Sequence, residues 1–264
     1  MEKSIMAISL SESIHIGFTD ILTRKVRSVV TIIGIVLGVM SIMVVLAIVN
    51  GMNDSTLRWM QERGGLNKIE VERNWEYDFR KGGKAYFSLN EIKLIRNLIP
   101  EAGVFNAEIS EYQVNLKRAS KDYWGSLHGV MPDMTEIEAW NVSRGRFLNR
   151  YDIDLSQNVI VLGSTVAREL FDSRNPLGEY VTVKGQQMMV IGIMETKFFE
   201  AQAGNRAWGD NAMEYLNRRS FIPISTMMHK ISPHLNISGF QVKTNGEAKT
   251  SELRKKVENI VLNL

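Results

Sequence analysis

The sequence predicts an α+β protein anchored by one N-terminal transmembrane helix, with a mixed extracytoplasmic domain behind it. Three observations carry this reading. An uncharged run covers Ser28–Val49. Basic residues cluster just before that run and not just after it. Beyond Gly51, short alternating stretches mix with amphipathic ones in no regular βαβ rhythm, which argues against a doubly wound α/β sheet.

Residues 1–27 form a cytoplasmic segment. Leu10, Ile14, Phe18, Ile21 and Leu22 recur at helical spacing between polar residues, the pattern of an amphipathic helix. Residues 28–50 are the transmembrane helix, since about 20 apolar residues cross a hydrocarbon core. Fourteen of the 22 residues from Ser28 to Val49 are Ile, Leu or Val. Together they favour insertion by roughly 4–8 kcal/mol. A cleaved signal peptide has a shorter apolar region and a small-residue cleavage site, and Ala47-Ile48-Val49 is a poor one. Arg24, Lys25 and Arg27 precede the run, whereas the next basic residue is Arg58. The positive-inside rule then places the N-terminus in the cytoplasm and residues 51–264 outside. Gly34 and Gly38 form a G-x-x-x-G pair with Ser41 near the same face, a candidate helix-packing surface.

The outer domain follows in order. Ile69–Arg73 alternates as a strand. Ser88-Leu89-Asn90-Glu91 has capping-box spacing and opens a helix closed by Pro100. Two strands cover 108–117 and 123–130, and a short apolar one covers 158–162. A helix then runs to Phe171, with Ser164 or Thr165 as its cap. Tyr180–Lys184 and Gln187–Met194 flank Gly185 as a hairpin, and Phe221–Pro223 and Phe240–Val242 read as strands. The last helix spans 247–264. Residues 197–219 form a long aperiodic loop, a length that marks function or mobility. Phe198, Phe199, Trp208 and Tyr215 are its candidate contacts for an outer partner or substrate.

Few motifs in the sequence carry chemistry. With 0 Cys among 264 residues there is no disulfide scaffold, thiolate metal site or cysteine nucleophile. A net charge of +3, with acids interleaved, provides no basic stripe for nucleic acid. No P-loop, nucleophile elbow or H-E-x-x-H motif occurs. The Asp152 to Gly163 stretch starts like a calcium loop but lacks its Gly and Glu. Glu136 and Glu138 read as a solvated face, and the four histidines as satisfied or exposed. No catalytic, cofactor-binding or metal-binding residue is assigned. An anchored outer domain of this kind binds, transmits or gates.

Several ordered stretches carry a resemblance. Arg24–Ser28, Gly34–Gly38 and Asn50-Gly51-Met52 come first. His128–Asp133, Trp140 and Arg144–Phe147 follow, then Val161-Leu162-Gly163, Glu169-Leu170-Phe171 and Asn175–Gly178. Val190-Ile191-Gly192 and Ile222–Thr226 complete the series. In this order they resemble the N-terminal part of ABC-transporter permeases of the macrolide-exporter (MacB-type) family and the related lipoprotein-release permeases. The resemblance implies one membrane helix and an outer α+β domain of two subdomains, one interrupting the other, at the inner membrane. It implies a permease dimer, with ATP held and hydrolysed by a separate cytoplasmic subunit or domain and no cofactor on this chain. An outer adaptor or substrate is a further implied partner. It also implies three later membrane helices, whereas this sequence ends at Asn263-Leu264. The alternative is a single-pass anchored binding or sensor protein.

Overall fold

The fold comes from a computed structural model that describes residues 25–72, 86–200, 211–244 and 247–263, with positions 13, 15, 17 and 19 before them. The N-terminal amphipathic stretch and Trp208 fall largely or wholly outside the described residues. The chain divides into two compact units, Met1–Arg58 and Trp59–Leu264.

Helix α1 (Lys25–Glu62) occupies the first unit and ends in the second. None of its residues is buried. An apolar helix with no buried stripe has no core to join, which is the signature of a lipid-facing segment rather than a soluble core helix. It continues thirteen residues past the uncharged run, about 20 Å of additional helix.

The second unit is built on one mixed sheet. Its strands are β1 (Lys68–Val71), β2 (Val104–Arg118), β3 (Lys121–Val130), β4 (Val142–Gly145), β5 (Val159–Leu162), β6 (Tyr180–Val183), β7 (Gln186–Met194), β8 (Arg219–Pro223) and β9 (Gly239–Lys243). The order is β1-β9-β2-β3-β8-β5-β7-β4, and β6 bridges β2 and β7. The pairings β2–β3–β8–β5–β7–β6 therefore return to β2 as a closed hydrogen-bonded ring. β3–β8 and β5–β7 are parallel, and the other pairs are antiparallel.

Helices fill the intervals: α2 (Leu89–Leu98), α3 (Met134–Ile137), α4 (Arg150–Asp154), α5 (Ser164–Phe171), α6 (Glu214–Asn217), α7 (Ile224–Thr226), continued by a π-turn over Met227–Ile231, and α8 (Glu247–Leu262). α2 starts with the expected capping box, Ser88 and Glu91 serving each other's backbone N–H groups. At α5 the expectation is corrected: Gly163 is the N-cap, with no side-chain cap bond. The Thr165 hydroxyl instead donates to Glu214 Oε1 at 2.7 Å, a long-range partner invisible to local spacing.

Period-2 alternation sorts the buried side chains into two cores. Leu127, Ile160, Leu162 and Ile222 point to one, with Val166, Leu170 and Phe171 of α5. Val130, Val159, Val161 and Phe221 point to the other, with Trp140 and Met213. Strands buried on both faces read as continuous apolar runs, as Val159–Leu162 does.

Candidate functional site

The first feature is the exposed apolar helix. Gly34, Gly38 and Ser41 lie at i, i+4 and i+7 and so share a face of α1. A Cβ built on either glycine meets nothing within 4 Å, so neither packs against another of the described residues. Thr31 returns its hydroxyl to the Arg27 carbonyl at 2.9 Å, which satisfies the polar group locally.

The second feature is the end of α1, which lies inside the outer-domain unit. Gly64 donates its N–H to Gln61 O, and Gly65 donates to Met60 O at 2.9 Å. Both glycines have positive φ, +98° and +87°. This is a Schellman cap, which needs residues free to adopt the left-handed region. The neighbouring Glu62 carbonyl is taken by Lys197, whose Nζ also donates to Ala139 O at 2.7 Å. A cation suits a helix C-terminus, where carbonyl groups concentrate negative potential. Lys197 is only 8% exposed. Burial pushes its ammonium down in pKa, against the opposing pull of Glu62 and Glu138.

Glu138 completes this joint. The sequence reading placed it on a solvated face; the structure corrects that, because it is 7% exposed. Its carboxylate accepts from Lys68 Nζ at 2.9 Å and pairs with Arg63 at 3.9 Å. A buried carboxylate is tolerable only with such partners.

A polar cleft of about 500 Å³ opens beside the joint, with Arg63, Glu70, Glu108, Tyr112, Glu138 and Arg219 among its walls. Beneath it, β2 and β3 bring together residues that sequence spacing alone leaves apart. Ser110 pairs with His128 in register, and Glu108 lies one pair further along the same face. His128 Nδ1 meets Glu108 Oε1 at 2.7 Å, and its Nε2 meets Ser126 Oγ at 3.0 Å. This is the hydrogen-bond order of a nucleophile–base–acid relay. Ser110 also contacts Nδ1 at 3.0 Å, however, and the ring is 1% exposed between Tyr112 and Phe221. The arrangement is that of a satisfied buried histidine. Burial pushes Glu108 up, but the charge interaction and hydrogen bond with His128, the Arg219 charge and the Ser110 hydrogen bond outweigh it, and its carboxyl falls to about 2. Among the described residues no group of three or more His, Asp or Glu could hold a metal ion.

The expected loop residues separate. Phe198 is 62% exposed. Phe199 and Tyr215 pack against the second core, and Arg219 lies over the Tyr215 ring at 5.6 Å. The described residues of this segment, 197–200 and 211–219, are held by hydrogen bonds despite their lack of period. Asn211 and Asn217 both hydrogen bond the Lys197 backbone, and Glu200 bridges to Asn211. The sequence reading missed Lys197, Glu138 and the Glu108–His128 pair. The Gly64-Gly65 doublet after an apolar helix is the one local signal that marks the joint.

A helix long and apolar enough to cross a membrane, leading into one mixed sheet, defines an outer domain with a candidate membrane anchor. The family described as the MacB-like periplasmic core domain matches residues 28–260, and the chain belongs to it. It is 26% identical over 247 residues to the macrolide export ATP-binding/permease protein MacB of Campylobacter jejuni, covering 91% of this chain and 36% of that protein. Against the same-named protein of Rhodospirillum rubrum it is 23% identical, covering 97% and 38%. The chain thus spans little more than a third of the length of these relatives. Among solved structures, the extracellular domain of the noncanonic ABC-type transporter YknZ from Gram-positive bacteria superposes with a TM-score of 0.59. It is 16% identical and covers 75% of this chain and 94% of that one. The periplasmic region of MacB from Actinobacillus actinomycetemcomitans gives 0.59 at 18% identity, covering 76% and 85%. These likenesses establish the fold.

Proposed function

We propose that these residues are the anchored N-terminal part of a permease in an ABC-type efflux or export system. In this reading α1 spans the inner membrane with its N-terminus in the cytoplasm. ATP is bound and hydrolysed by a separate subunit or domain, and this chain carries no cofactor. A second permease copy completes the assembly, and the outer domain moves in response to the nucleotide cycle. An outer adaptor or the substrate would meet the exposed domain surface, Phe198 included. The observation that carries the reading is an apolar helix with no buried residue, continuous into a domain of the MacB-like family.

The test is isolation of the native gene product in mild detergent with whatever accompanies it. The expected result is a product joined to, or arriving with, an ATP-binding component, with ATP turnover in the preparation. A preparation in which neither the chain nor any companion binds ATP overturns the reading. It would leave a single-pass anchored binding or sensor protein.

A further inference from the structure

The backbone joining α1 to β1 contains its own weak point. Gly64 and Gly65 are adjacent, both at positive φ, and two consecutive glycines have the fewest conformational restraints of any dipeptide. A displacement of the helix end would be absorbed by bending there unless something spans the pair. Two side chains do. Glu138 binds Arg63 on one side of the glycines and Lys68 on the other. Lys197 binds the Glu62 carbonyl before them and the Ala139 carbonyl, next to Glu138, beyond them.

The path continues inward. Asn217, fully buried, accepts from the Lys197 N–H at 2.8 Å and donates to its carbonyl at 2.9 Å. Two residues later the chain enters β8, which pairs with β3 and β5 inside the closed ring. Side-chain bonds thus run from the last turn of α1 to the middle of the sheet without using the glycines.

Packing alone does not explain charges here. Buried ion pairs are often no more stabilising than apolar residues of similar volume, and their attested use is to hold one specific geometry. We infer that Lys197 and Glu138 are positioning residues of the transport cycle, struts that carry movement of the α1 end into the sheet instead of letting the Gly64-Gly65 pair bend. This rests on the permease reading above.

The experiment uses the permease with its ATP-binding component in nanodiscs. These 264 residues contain 0 Cys, so a cysteine introduced at Asn53 or at Asp122 is a unique label site within them. Asn53 lies on α1, and Asp122 lies at the β2–β3 end of the domain. Spin-label distances between permease copies are measured at each site with and without ATP and vanadate. In the parent, both distances are expected to change with nucleotide. In Lys197→Met and in Glu138→Gln, ATP turnover and the Asn53 change should persist while the Asp122 change is lost, and Lys197→Arg should restore it. Glu138→Gln keeps side-chain volume and carries the test if Lys197→Met does not accumulate. An Asp122 change in both variants equal to the parent's overturns the inference. A parent in which neither site responds overturns the permease reading and the inference with it.

Discussion

His128 Nδ1 lies 2.7 Å from Glu108 Oε1 across the β2–β3 ladder, with the His128 ring 1% exposed. The carboxyl of Glu108 is held at about 2 against an ordinary 4.5. A carboxyl depressed in the folded state stabilises the fold above its unfolded pKa, and that contribution fades as pH falls through the folded value. Stability should therefore drop between about pH 4.5 and pH 2. Glu108→Gln should be less stable at neutral pH and flatter across that window. Urea titrations at stepped pH, followed by tryptophan fluorescence, check this. An acid limb of the same slope in both proteins would count against it.

The two glycines after α1 should respond unequally to alanine. A Cβ on Gly64 would stand 1.8 Å from the Ile137 carbonyl oxygen, whereas one on Gly65 meets nothing within 4 Å. Both positions carry the left-handed backbone cost of roughly 1–2 kcal/mol for an L residue. Gly64→Ala adds a backbone collision that needs α3 to move. It should cost clearly more than Gly65→Ala, by at least ~1 kcal/mol given the usual range for strained sites. Equal melting temperatures for the two variants would contradict the placement of Gly64 against α3.

At Ser88 both halves of the capping box are in place. The Glu91 N–H donates to Ser88 Oγ at 3.3 Å, and the Ser88 N–H donates to Glu91 Oε2 at 2.9 Å. Ser88→Ala should cost about 1 kcal/mol, the usual value of an N-cap. Ser88→Asp should recover most of it, because aspartate caps equally well. Denaturant midpoints of the three proteins decide this, and an alanine variant as stable as the parent would remove the cap's role.

These elements also show what a sequence can disclose. The capping box, the alternation of β2, β3 and β7 and the uncharged run of α1 are local patterns, and each has its counterpart in the structure. Strand β4 has no such pattern: its four residues are nearly all exposed at the sheet edge, so no apolar period marks them. Asn211 and Asn217 reach back to the Lys197 backbone, contacts that local spacing does not encode. Glu138 looked solvated because its cations, Lys68 and Arg63, lie some 70 residues earlier. Glu108 and His128 sat on two strands that alternation revealed, but only the register, displaced by the bulge between Glu111 and Val114, brings them together.

The shared face of Gly34, Gly38 and Ser41 supports one further prediction. Gly38 has open space around its missing Cβ and lies on a helix with no buried residue, so Gly38→Leu meets no close neighbour among the described residues. Leucine is also the better helix former, by somewhat less than the roughly 0.8–1 kcal/mol that separates alanine from glycine. The variant should therefore insert and fold at least as well as the parent. Small residues at a membrane helix interface allow backbones to approach closely, and a leucine there holds them apart. If this face packs against another helix of the permease assembly, the variant should be expressed at the parental level yet lose the complex. Blue-native electrophoresis and crosslinking in mild detergent measure that loss directly. Val36→Leu, on a different face of α1, is the matched control and should leave the complex intact. An intact complex with unchanged ATP turnover in Gly38→Leu would show that the glycine face points to lipid.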